Sequence, residues 1–171
     1  MMSEVTATIE IAGLKDALKT LNKIDKKLRT QITRDYKDIV KPVISDANSL
    51  IPSNVPLSGM SRNWTTKSGF KMLPWEPGHK QKIAAKINTR AIKEYAGRTT
   101  NVGTFSIAYQ SATGTMFDMS SAGRLGAALT ARYGSRSRVM WKAWQQNETT
   151  VNAEMEKLVK FVMDETSREL M

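Results

Sequence analysis

The chain has no cysteine and a single histidine, His79. The first absence excludes disulfides, thiolate zinc sites and cysteine nucleophiles together. The second leaves a metal site of the usual ligand types with only carboxylates beside His79. No apolar run approaches the ~20 residues that a bilayer-crossing helix requires. The opening "MMSEVTATIE" has neither a basic n-region nor an apolar h-region, so the expectation is a soluble protein that stays in the cytosol or leaves it by lysis, with no membrane partner. Acids are scarce in the middle: Glu76, Glu94 and Asp118 are the only carboxylates between residues 51 and 147. A two-carboxylate mechanism lacks raw material there. No G-x-S-x-G elbow, P-loop or G-x-G-x-x-G occurs. The chain is read as a non-enzyme that needs no cofactor and no metal.

What is present is 171 residues, 40% of them apolar, enough for one domain whose core buries roughly 70% of the surface of the unfolded chain. The net charge of +10 is unevenly spread: residues 1–50 balance to +2, residues 51–147 to +11 and residues 148–171 to −3. Such asymmetry bears on partners rather than on fold. The middle of the chain faces either a polyanion or an acidic protein surface, and the acidic C-terminal segment of an identical neighbour is such a surface.

Periodicity predicts an α+β fold: a small antiparallel sheet packed against a long N-terminal helix and a C-terminal helix, with a long extended loop. Alternating Val5, Ala7, Ile9 and Ile11 predict a strand over 5–11. Leu14, Leu18, Leu21, Ile24, Leu28, Ile32, Tyr36, Ile39 and Val40 then step by threes and fours, predicting a helix over 14–51 that Pro42 kinks without ending. The four remaining prolines fall within residues 52–80, read as a long loop with little regular structure. Alternation in "KIAAKINTRAIK" and "TFSIAYQS" predicts strands within 81–111, joined as an antiparallel hairpin with a long tip through "EYAGRTTNVG". "SATGTMFDMSSAGR" leads away from the sheet. Two C-terminal helices are expected within 137–170, with Asn147 as the cap between them. The whole of 1–171 is taken as a single domain. Acids such as Asp16, Asp25 and Asp35 are a solvated helix face.

The stretch "RYGSRSRVMWKAWQQN" interleaves Arg132, Arg136, Arg138 and Lys142 with Tyr133, Trp141 and Trp144. The cations can neutralise phosphates and the aromatics can stack on bases. Trp, Tyr and Arg are also the residue types enriched in protein–protein hot spots. No winged, homeodomain, ribonucleoprotein or zinc-finger pattern accompanies them. Both uses stay open, with the protein interface favoured. Trp64, Phe70, Trp75, Met116, Phe117, Trp141 and Trp144 are the candidate subunit-interface residues. Arg124, Arg132, Arg136, Arg138 and Lys142 are the candidate contacts to DNA or to an acidic partner. The loop residues Trp64, Phe70, Met72, Leu73 and Trp75 are too apolar for water, so the loop is expected to dock on a neighbouring subunit or ring.

The order of segments adds a resemblance. A strand running into "IEIAGLKDALKTLNKIDKKLRTQI", a helix reaching "VKPVISDANSLIP", the polar "PLSGMSRNW", two strands, then "SATGTMFDMSSAGR" and a helix after "RVMWKAW" resemble the minor-tail or tail-completion proteins of tailed bacteriophages. "GTMFDMSSAGR" and "RVMWKAW" resemble the versions found in phages of actinobacterial hosts. The chain departs from that pattern after the helix, where its loop is longer. The resemblance implies a virion protein of the neck or upper tail, synthesised in the bacterial host cytoplasm. It implies a homohexameric ring that completes the tail or joins it to the head. Its neighbours would be a head–tail connector or stopper, a tail terminator and tail tube proteins, with double-stranded DNA passing sequence-blind through the lumen. A tail terminator is the nearest alternative. A sequence-nonspecific nucleic-acid-binding module is the alternative from another class.

Overall fold

The computed structural model describes residues 5–12, 16–17, 19–20, 26–65, 67–69, 71–72, 74–75, 83–95 and 98–169. The chain is an α+β protein with a long N-terminal helix and a long C-terminal helix. Strand β1 spans Val5–Ala12, helix α1 Lys26–Leu50, strands β2 and β3 Trp64–Thr65 and Lys71–Met72, and strands β4 and β5 Ile83–Tyr95 and Arg98–Tyr109. Helices α2 (Ala112–Met119), α3 (Gly123–Tyr133) and α4 (Met140–Glu169) follow. Asp16, Ala17, Lys19 and Thr20 are also helical. The larger sheet has the order β1-β5-β4, and β2 pairs antiparallel with β3 through Trp64↔Met72 and Thr65↔Lys71.

These residues form two compact units. The sheet unit comprises Thr8–Pro42, Ala85–Ile107 and Asn147–Met171, and the helical unit Met1–Ala7, Val43–Ala84 and Ala108–Gln146. In the sheet unit the predicted stripe of α1 is buried at Ile32, Tyr36 and Val40, and α4 contributes Val151, Met155, Leu158 and Val162. The Tyr36 ring lies 4.7 Å from that of Phe105 on β5, and its hydroxyl donates to the Ser106 carbonyl at 2.7 Å. Thr104–Tyr109 are six consecutive buried residues. Alternation of Phe105, Ile107 and Tyr109 marks one apolar face, but β5 is the central strand of its sheet. Both faces are covered, and small residues (Thr104, Ser106, Ala108) fill the second.

As expected, helix α1 continues through Pro42, which lies on its exposed face. Other expectations need correction. The hairpin tip is short: only Ala96 and Gly97 separate β4 from β5, a connection that requires antiparallel strands. Thr99, Thr100 and Val102 extend β5 because β-branched residues suit a pleated surface. "SATGTMFDMSSAGR" is mostly helical: the Ser111 hydroxyl caps α2 by accepting from the Gly114 N–H at 3.1 Å. The C-terminal helices are a single helix of 30 residues. Its inward residues Met140, Ala143, Asn147, Val151, Met155, Leu158 and Val162 step by threes and fours without a break, so Asn147 sits on the stripe rather than between helices. The 52–80 loop contains a 3-10 turn at Ser58–Ser61 as well as the β2–β3 ladder.

Candidate functional site

The helical unit is organised by one acid and one base. Asp118, fully buried at the end of α2, accepts from the backbone N–H groups of Val139 (2.7 Å) and Met140 (3.3 Å). These are donors at the start of α4 that no helical carbonyl can satisfy. A carboxylate is suited to them because it also opposes the positive end of the helix dipole. Its backbone carbonyl accepts from Ser137 N (2.7 Å) and Arg138 N (3.4 Å). Ser137 has a left-handed φ of 65°, an uncommon conformation for a residue with a side chain.

Arg138, 3% exposed, satisfies the opposite kind of helix end. Its guanidinium donates to the carbonyls of Phe117 (2.7 Å), Asp118 (3.3 Å) and Ser120 (3.0 Å), to the Gly134 carbonyl (2.9 Å) and to the Thr130 hydroxyl (3.2 Å). One side chain thereby closes the C-termini of α2 and α3, where unpaired carbonyls accumulate and cations are favoured. Burial pushes the guanidinium below its ordinary range, and the Asp118 charge opposes that shift. The arginine also lies 5.9 Å from the centre of the Phe117 ring.

Around this hub the aromatic residues pack on one another. Phe117 meets Trp75 edge-on at 5.7 Å and Tyr133 at 5.1 Å. Pro56 is held through its carbonyl by Arg132 (3.1 Å) and the Tyr133 hydroxyl (3.3 Å). Trp75 donates its backbone N–H to the Met60 carbonyl at 2.7 Å. The loop expected to seek a neighbouring subunit therefore buries Met60 and Trp75 within its own unit.

The proposed interface and contact residues separate accordingly. Trp75 and Phe117 are core residues, and Arg138 is committed to five internal acceptors, so none of the three presents a surface to DNA or a partner. Trp64, Met116 and Trp144 are half-buried, and the Phe70 side chain lies outside the described residues, as do Leu73 and the Met72 side chain. Arg132 is exposed but tied to Pro56 and stacked 5.5 Å from the Tyr133 ring centre. Arg124, Arg136 and Lys142 are exposed, and Trp141 is 53% exposed. Met119, which the sequence did not single out, is the other large apolar side chain left exposed among the described residues. Its only signal was its place beside Asp118, one of three carboxylates in the strongly basic stretch 51–147.

The hub gathers these groups. Met119 follows Asp118 directly, Arg136 precedes Ser137, and Trp141 follows Met140 with Lys142 one residue further on. Ser137 Oγ also approaches Met119 Sδ at 3.8 Å. Two exposed apolar side chains, Met119 and Trp141, and two exposed cations, Arg136 and Lys142, thus flank the hub in sequence. Among the described residues no group of three metal-ligating side chains forms, and no helix is long and apolar enough to cross a membrane. No family model, curated protein or solved structure matches the chain.

Proposed function

We propose that the chain is a structural virion protein of a tailed phage, one subunit of a ring in the neck or upper tail that completes the tail or joins it to the head around the DNA. The observation that carries this reading beyond the resemblance is the concentration of exposed cations on the helical unit. The helical unit exposes Arg62, Lys67, Lys71, Arg124, Arg132, Arg136 and Lys142, whereas its described carboxylates are the half-buried Asp46 and the buried Asp118. Helix α4 in the sheet unit exposes Glu148, Glu156 and Asp164 among Lys157, Lys160 and Arg168, a surface of mixed charge. A ring subunit needs two different and complementary patches, because its contacts are head-to-tail. A cationic surface is also compatible with DNA moving past, met as a uniform polyanion.

The test is electron microscopy of particles made when the gene carries a stop codon in an otherwise intact phage. Filled heads beside free tails are expected. Normal, attached particles would overturn the reading. Tails of irregular length would instead assign the ring to tail termination. The exposed cations also favour a second reading, a sequence-nonspecific nucleic-acid-binding module. It requires an affinity that falls steeply with salt, and Arg138 takes no part in it.

A further inference from the structure

We propose that the β2–β3 hairpin is an arm that carries Lys67 and Lys71 onto the phosphate backbone of double-stranded DNA. That the polyanion is DNA rests on the ring reading, which the arm deepens by naming the segment that meets it. The hairpin is rooted in the helical unit and exposed at its turn. At the root, Met60 and Trp75 are 3% and 2% exposed, the Trp75 N–H donates to the Met60 carbonyl at 2.7 Å, and the Trp75 ring meets Phe117 edge-on. Beyond the ladder, Lys67, Ser68 and Gly69 are all exposed, and Gly69 takes the left-handed φ of 81° that the turn requires. A rooted ribbon has little conformational freedom to lose on binding.

Chain geometry keeps the two lysines together. The register sets Lys71 directly opposite Thr65 on one face of the ribbon, and Trp64 opposite Met72 on the other. Lys67 is four residues from Lys71 around the turn, so their Cα atoms lie within about 14 Å. Arg62, extended at φ −131° and ψ 156° two residues before Trp64, falls on the Trp64 face instead. No carboxylate occurs between Asp46 and Glu76. Among the described residues neither lysine is in an ion pair, so the surface suits an anion. The class of anion follows from the company the lysines keep. Besides the cations, the exposed residues described between 61 and 71 are Ser61, Asn63, Thr65, Ser68 and Gly69. None is apolar, whereas a protein–protein contact has an apolar centre. None is aromatic, whereas single strands are gripped by stacking. Hydroxyl and amide groups beside cations are what the phosphate oxygens of a duplex accept from, without any reading of sequence.

The experiment measures binding of the full-length chain to labelled DNA duplexes of two unrelated sequences, by fluorescence anisotropy across a salt series. Lys67→Gln with Lys71→Gln should bind both duplexes at least about tenfold more weakly and lower the salt dependence by about two counterions. Arg124→Gln with Lys142→Gln removes the same charge from elsewhere on the helical unit and should lose far less. Lys67→Arg with Lys71→Arg keeps both charges and should bind as wild type, with melting curves showing every variant folded. A wild type that binds no duplex at low salt, equal losses in the two glutamine variants, or an arginine variant as weak as the glutamine one would each overturn the proposal. So would unchanged duplex binding with lost self-association in sedimentation, which would give the arm to an acidic protein surface. The ring reading fails separately. If the stop-codon phage is normal but the arm variant still loses duplex binding, the contact stands without the neck. If that phage is defective and Lys67→Gln with Lys71→Gln rescues it while binding duplex as wild type does, the neck stands without this contact.

Discussion

Tyr36 and Tyr109 are each about 1% exposed, one in the sheet unit and one in the helical unit, yet they are used in opposite ways. The Tyr36 hydroxyl donates across the helix–sheet contact to the Ser106 carbonyl. Among the described residues the Tyr109 hydroxyl has no partner, and neither does the Thr115 hydroxyl. Gly114 leaves room for the Tyr109 ring, since a Cβ there would come within 2.3 Å of it. The sheet unit places a polar tip where it is satisfied, whereas the helical unit accepts an unsatisfied tip to fill space with the ring. Its hydrogen-bonding capacity is concentrated at Asp118 and Arg138 instead. The difference teaches that burial alone does not say what a side chain contributes.

The comparison can be broken most severely at the hub. Asp118→Ala strips two helix N–H groups of their acceptor and leaves Arg138 without its opposing charge. It should cost on the order of 3–5 kcal/mol, lowering the melting temperature by roughly 10 °C. A shift under about 3 °C would show that the hub is dispensable. Gly114→Ala forces a methyl group into the Tyr109 ring and should cost about 1–3 kcal/mol, read from chemical denaturation. The tyrosines themselves sharpen the contrast by sign. Tyr36→Phe should destabilise by about 1 kcal/mol. Tyr109→Phe should be neutral or stabilising, because the hydroxyl it removes is desolvated and unpaired. Equal losses in both variants would erase the distinction.

Alkaline pH addresses both tyrosines at once. Burial raises each well above the ordinary value of about 10, and for Tyr109 the Asp118 charge raises it further. Between that ordinary value and the raised one the unfolded chain has released protons that the folded chain retains. Stability is therefore fully present below pH ~10 and falls as pH rises above it. Ultraviolet difference spectra should show these two tyrosines ionising only together with unfolding. The smallest effect is expected at Trp141→Ala, within about 0.5 kcal/mol of wild type, since its exposed ring supports neither unit.

How much of this was legible follows from the range of each interaction. The α1 stripe from Ile32 to Ala47 is periodic, so local spacing was enough to identify its buried face. The continuity of α4 was also written in its stripe, but Asn147 was read by its capping habit rather than by its position. The hub was hidden because Asp118 and Arg138 meet helix ends some twenty residues away, and no periodicity marks such a pairing. Arg138 looked like Arg136 and Lys142 in sequence, and Trp75 looked like Trp141. Only the fold separates the internal members of each set from those facing water. Glycine obscured α2: Gly114 reads as a breaker, while here it admits an aromatic ring.

The remote acceptor at the start of α4 also has a consequence in time. A helix capped by its own preceding residue can begin wherever its sequence allows. Here the first turn gains its acceptor only after α2 has brought Asp118 into place. Closing that loop of about twenty residues carries an entropic cost before the bonds form. The N-terminal turn of α4 should therefore order late, following α2 rather than nucleating the fold, and amide exchange at Val139 and Met140 should track the opening of the helical unit as a whole.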